Sequence, residues 1–135
     1  MATGIENLKV YTMAKELELK IHFATKEFPK EEKFRSIDQL NRSSSSVTNN
    51  VAEAYYKQSV KEKIHILRDI AITEAEETRT NLLRCAEKGF ISKEKAEQIS
   101  EEYITLRKAL FGYIRFLQGF NEKKLINSST VGRRP

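Results

Sequence analysis

An all-α, antiparallel up-down-up-down four-helix bundle is the fold this sequence predicts, and three observations predict it. Four stretches repeat apolar residues at intervals of three and four, the spacing that keeps one helical face in phase. Helix breakers are few, with two prolines and five glycines in 135 residues. The connections between the stretches are short, which makes sequential helices antiparallel neighbours.

The first helix is expected over about residues 6–27, with Val10, Met13, Ala14, Leu17, Ile21 and Ala24 on its apolar face. Pro29 disfavours helical geometry at Phe28 and ends it. The second, about 32–56, carries Ile37, Leu40, Val47, Val51 and Tyr55. Its middle, from Ser43 to Asn50, has the composition of a linker and costs roughly 3–5 kcal/mol of helix propensity against alanine. The apolar positions nevertheless hold register across it, so it reads as helix.

The third helix, about 60–88, opens with Ser59 and Glu62 at capping-box spacing. Its apolar face runs Val60, Ile64, Leu67, Ala71, Ala75, Thr78, Leu82 and Cys85, and Gly89 supplies the left-handed residue that closes it. Ser92 is the N-cap of the fourth, about 93–120, which buries Ala96, Ile99, Tyr103, Leu106, Leu110, Ile114 and Leu117. Residues 1–120 thus form one domain, and residues 121–135 are expected to be a disordered basic tail.

A formal net charge of +5 is spread unevenly. From Asn121 onward Lys123, Lys124, Arg133 and Arg134 face one acid, Glu122, a net of +3. The other 120 residues hold 20 basic and 18 acidic groups, a net of +2, which is modest for a nucleic-acid module. One cysteine forms no internal disulfide and suits a reducing compartment. The N-terminal residues lack the apolar core of a signal peptide, and no apolar run is long enough to span a bilayer. A cytoplasmic protein without a membrane partner is expected.

Reactive groups are sparse and dispersed, so no enzyme, no small-molecule substrate, no cofactor and no metal is expected. Glu62 and His65 share the spacing of a bundle metal site, but both lie opposite the apolar face, and His22 has Leu19 where a second glutamate belongs. Cys85 reads as a small buried hydrophobe. Glu74, Glu76 and Glu77 point in different directions around their helix; solvated charge is the expectation, with pairing to a lysine or arginine the alternative for Glu74, which alone falls near the apolar face.

Two surfaces differ from plain solvated faces. Gln39, Arg42, Ser46, Asn50 and Glu53 recur at three and four residues along helix two, about 140° from its apolar stripe by the helical step. Serine and asparagine cost propensity there while letting another backbone approach, so this stripe is a candidate partner or subunit contact. Leu8, Tyr11 and Leu19 on helix one, with Phe111, Phe116 and Phe120 on helix four, add apolar surface beyond one core stripe and are candidates for self-association.

Taken together, Leu8 to Tyr11, Ala14 and Leu17, Phe28 to Phe34, Asp38 and Gln39, Arg42, Ser46, Asn50, Ala52 and Glu53 form an ordered series. It continues through Ser59, Lys61, Glu62, Leu67, Arg68, Ala71, Glu77, Thr80, Leu82 and Gly89 to Ile91. With it the chain resembles the bacterial four-helix-bundle family of proteins whose genes lie in 23S ribosomal RNA intervening sequences. The family pattern usually has glycine where this chain has Ala54, and often an isoleucine-proline step where it has Val47 and Thr48. Those departures imply a straighter, longer second helix.

The resemblance implies a ring-like homopentamer and RNA, or an RNA-handling protein, as partner. The expected role is a non-enzymatic oligomeric accessory factor that associates with RNA; a protein–protein adaptor ring is the alternative. Lys57, Lys61, Lys63 and Arg68 around the turn between helices two and three, with Lys123, Lys124, Arg133 and Arg134, are the nucleic-acid candidates. No aromatic–basic motif of an RNA-reading module is apparent in the sequence.

Overall fold

The computed structural model describes the chain over residues 4–132, with side-chain surroundings for residues 4–120. Four helices stack antiparallel in chain order, and no strand occurs among the described residues. A single turn of 3₁₀ helix, Ile5–Asn7, leads into α1, Lys9–Thr25. After Pro29 the chain re-enters helix through a 3₁₀ turn, Lys30–Glu32, and a π-helical turn, Lys33–Ile37. Arg35, at φ −121° and ψ −106°, kinks that entry before α2, Asp38–Tyr56, begins.

The third helix, α3, runs through Val60–His65, a π-helical turn Ile66–Ala71 and Ile72–Glu87. Ser59 caps its start by accepting the Glu62 amide at 3.2 Å. A Schellman turn closes it: Phe90 N–H donates to the Cys85 carbonyl, Gly89 N–H to that of Ala86, and Gly89 takes φ +85°. Ser92 accepts the Lys95 amide at 3.2 Å and starts α4, Lys93–Gly132.

The expected apolar faces meet in one core, in which Ile21, Leu40, Val51, Leu67, Leu82, Leu106 and Leu110 are fully buried. Linker-like composition does not interrupt α2. Its hydroxyls and amides are satisfied on the helix itself, Ser44 Oγ donating to the Asn41 carbonyl and Asn50 Nδ2 to that of Ser46. Ser43 and Thr78 join α2 to α3 at 2.7 Å between hydroxyls.

Two boundaries differ from expectation: α2 starts at Asp38, not near residue 32, because the chain kinks at Arg35, so the second helix is not the straighter one expected, and α4 ends later. Helix α4 continues to Gly132 instead of stopping near residue 120, so the disordered tail expected from Asn121 onward is helical backbone as far as Gly132. Glu122, Lys123, Lys124 and Leu125 are strong helix formers that carry on the periodic pattern. Arg133 and Arg134 lie outside the described residues.

Candidate functional site

The small residues of α2 leave a shallow, polar surface along the flank of the bundle. Gln39, Arg42, Ser43 and Ser46 form one wall of a groove of about 580 Å³, and Glu74, Glu77, Thr80, Asn81 and Arg84 of α3 form the other. A second depression of about 490 Å³ adjoins it over Asn41, Arg42, Ser45, Ser46, Asn49 and Asn50. Three members of the expected stripe, Gln39, Arg42 and Ser46, therefore share the first groove, and Asn50 lies in the second. Glu53 belongs to a groove at the far end of α2.

This stripe carries little charge of its own, because local pairs consume it. Arg42 lies 3.6 Å from Asp38 and Glu53 3.9 Å from Lys57, each one turn away. In the first groove Glu74 has its carboxyl raised above the usual range by burial and then by the neighbouring charge of Glu77.

The cations at the α2–α3 turn divide between structural and open roles. Lys57, Lys61 and Arg68 line a groove of about 630 Å³ beside Glu53, Glu62 and His65. Lys63 is not among them. Its ammonium donates to the carbonyls of Ala54 at 3.2 Å and Tyr55 at 2.7 Å, capping the end of α2 as a helix C-terminus favours. Burial there lowers its pKa. Arg68 pairs with Asp69, so the expected basic patch is a mixed-charge groove in which Lys61 alone among the four is unpaired within the described residues. The side chains of Lys123 and Lys124, and all of Arg133 and Arg134, lie outside what the structure describes.

Sequence periodicity missed a different basic cluster at the α1–α2 corner. Lys26, Lys30 and Lys33 line a cleft of about 430 Å³ with His22, Thr25, Phe28, Ile37 and Asn41, and no acid shares the lining. The ammonium of Lys26 sits 5.2 Å from the centre of the Phe23 ring and that of Lys33 5.4 Å from the Phe34 ring. The signal was present as Lys26, Phe28, Lys30, Lys33 and Phe34, but it straddles Pro29 and has no helical period, and only the folded turn brings it to one place.

The acidic triplet also behaves differently from expectation. Glu76, not Glu74, finds basic partners: Arg79 Nη2 at 2.8 Å and Arg107 Nη1 of α4, while Arg79 Nη1 also donates to Ser100 at 3.3 Å. Because α3 packs on α2 by one side and α4 by another, a wheel drawn around a single apolar face misplaces Glu76. Burial raises its carboxyl, but the hydrogen bonds and charges of Arg79 and Arg107 outweigh burial and hold it below the ordinary value.

The remaining chemistry-bearing residues are where sequence placed them. Cys85 is fully buried and burial pushes its thiol up. His65 pairs with Asp69 at 2.7 Å. Among the described residues no cluster of three or more His, Cys, Asp or Glu side chains could hold a metal, and no helix is long and apolar enough to cross a membrane.

Of the self-association candidates, Leu8 and Tyr11 are half-buried against the core, which corrects their assignment to an outer face. Leu19, Phe111, Phe116 and Phe120 are exposed, Phe116 at 66%.

Fold and surfaces together define a four-helix bundle with polar grooves along one flank, a basic cluster at the α1–α2 corner and a mixed-charge groove at the α2–α3 turn. The chain belongs to the 23S rRNA-intervening sequence protein family, whose model matches residues 6–112. It is similar to a crystal structure, at 1.70 Å, of a protein with unknown function from the S23 ribosomal protein family of Bacteroides thetaiotaomicron. The two share 30% identity with a TM-score of 0.71, over 78% of this chain and 97% of that one. No curated protein matches the chain.

Proposed function

We propose that the protein is a non-enzymatic RNA-associated factor that binds as a homo-oligomer in the cytoplasm. The observation that carries this reading is a series of polar depressions along α2, the first two sharing Asn41. It starts at the Lys26, Lys30 and Lys33 corner, passes the small residues from Asn41 to Asn50, and ends at Lys57, Lys61 and Arg68. An extended polyanion needs such a track: cations at intervals and small side chains between them that do not hold the backbone off. The family name is consistent with it.

A net charge of +2 over residues 1–120 makes each chain a weak binder, so affinity comes from phosphate contacts summed over copies. Fluorescence anisotropy with a labelled 20-nucleotide RNA across a salt series tests this. The logarithm of affinity falls linearly with that of salt, by about 0.7 for each phosphate neutralised on a single strand. Absence of binding at low salt overturns the reading.

A protein–protein adaptor is the second reading, and the α2–α3 groove favours it. Arg42 and Arg84 face Glu74 and Glu77 there, a mixed-charge surface better matched to a protein than to phosphate.

A further inference from the structure

We infer that the α1–α2 corner is a seat for unpaired RNA, in which Phe23 and Phe34 stack bases and Lys26, Lys30 and Lys33 hold phosphates. The inference rests on the RNA reading above and assigns it a place. Nucleic-acid binding without strict sequence readout needs two things together, cations that track the backbone and aromatic faces that receive bases. At this corner two exposed rings, which do not themselves line the cleft, each stand beside a lysine that does.

The aromatic part is unusual in its exposure. Phe34 is 85% exposed and Phe23 60%, although each could contribute to a core if packing were its role. Phe34 stands on the turn that Arg35 kinks, between Pro29 and the start of α2. A lysine accompanies each ring, Lys26 at Phe23 and Lys33 at Phe34, which sets a phosphate-binding group beside a base-stacking surface.

The charges of this corner are also uncommitted. None of Lys26, Lys30 and Lys33 takes part in an ion pair among the described residues. Two of the three neighbouring acids turn elsewhere, Glu27 to Lys95 of α4 at 3.3 Å and Glu32 to the Ser36 hydroxyl at 2.7 Å, while Glu31 is exposed and lies outside the lining of the cleft. This contrasts with the α2–α3 turn, where Lys57, Lys63 and Arg68 all have partners.

The cleft between the lysines has polar depth. Asn41 Nδ2 donates to Thr25 Oγ1 at 3.0 Å and to the Ile37 carbonyl at 2.8 Å, which commits both amide hydrogens and leaves Oδ1 as an acceptor. A ribose 2′-hydroxyl can donate to such an acceptor and a deoxyribose cannot, which assigns the seat to RNA over DNA. A volume of about 430 Å³ lies within the range of small-ligand sites, so the cleft holds a nucleotide and not a duplex.

Anisotropy with a 15-nucleotide oligouridylate, the same sequence in DNA and a matched RNA duplex tests the seat in the full-length protein. Phe34→Ala and Phe23→Ala each weaken oligouridylate binding about five- to a hundredfold, leave the salt slope unchanged and leave duplex binding alone. Lys33→Gln weakens the single strand and lowers the slope by about 0.7. Phe34 is too exposed for its removal to unfold the chain, and circular dichroism of each variant confirms the fold. Wild-type affinity in both phenylalanine variants sinks the seat while leaving the RNA reading standing. Loss of all RNA binding in the wild-type protein removes the reading itself. Equal affinity for the RNA and DNA strands overturns the assignment to RNA.

Discussion

Glu74 and Glu76 sit two positions apart on α3 and are perturbed in opposite directions. Glu76 lies between Arg79 and Arg107 and is held below the ordinary value of 4.5, whereas burial and Glu77 raise Glu74 above it. A depressed carboxylate contributes stability that is present above its unfolded value and lost as pH falls through the folded one. A raised carboxylate acts the other way, costing stability at neutral pH and ceasing to do so on acidification. Glu76→Gln is therefore expected to lower stability at pH 7 by about 1.5–3 kcal/mol, the range for hydrogen bonds to charged groups. That deficit shrinks as pH falls below the ordinary value. Glu74→Gln is expected to raise the melting temperature at pH 7, with the gain vanishing in acid. Thermal melts from pH 7 to pH 3 check both, and two variants shifted in the same direction would contradict the assignment. The difference between these residues was not legible in sequence, because both are glutamates on one helix and only the approach of Arg107 from α4 separates them.

At the scale of the element, α2 shows how a linker-like composition serves a buried helix. Leu40, Val47 and Val51 hold the apolar phase, and that part was readable from spacing alone. The other part is a second buried row, Ser44 and Thr48, that periodic reading of apolar residues does not register. Ser44 is 1% exposed, and its small side chain with a hydroxyl turned back to the Asn41 carbonyl lets neighbouring helices come close. Extra methylenes there have nowhere to go, so Ser44→Leu should destabilise the bundle by about 1–3 kcal/mol despite leucine's better helix propensity. Asn49, on the exposed side of the same helix, provides the opposite case: Asn49→Ala should raise stability by about 0.5 kcal/mol through propensity alone. Urea midpoints measure both. A Ser44→Leu variant as stable as Asn49→Ala would mean that α2 is not closely packed along this row. Ala54 makes the same point at the helix end: it is fully buried, and α2 continues through it to Tyr56.

For the whole molecule the four helices are unequal in length, and the inequality sets the expected assembly. Forty residues make α4 roughly 60 Å long, whereas the 17 residues of α1 reach about 26 Å. The pairs Lys20–Glu102 and Glu27–Lys95 set α1 antiparallel to the first half of α4. Arg107 on Glu76 sets α3 in the same sense, so Val60, where α3 begins, comes level with about residue 123 of α4. The rest of α4 up to Gly132 extends past the start of both neighbours. A few turns of helix without packing are marginal in water, and most helical stability in proteins comes from a packed face. Just before the extension Phe116 and Phe120 are both more than half exposed, with Phe111 a turn and a half earlier and Leu19 exposed on α1. Sequence showed the apolar excess but not the overhang, because the polar residues from Asn121 onward, with Gly132 and Pro135, read as a tail. A second copy that lays its own α4 along this surface covers the aromatics and supports the extension together, and cyclic closure then satisfies every copy alike. Light scattering at micromolar concentration should give several times the 15.6 kDa of one chain. The double substitution Phe116→Glu and Phe120→Glu should reduce that to a monomer, because two carboxylates cannot be buried unpaired in an apolar contact. Its helical circular dichroism should stay near the wild-type value over the bundle, since neither side chain reaches the core. A wild-type protein that scatters as a single chain would leave α4 extended without support and would refute self-association through this face.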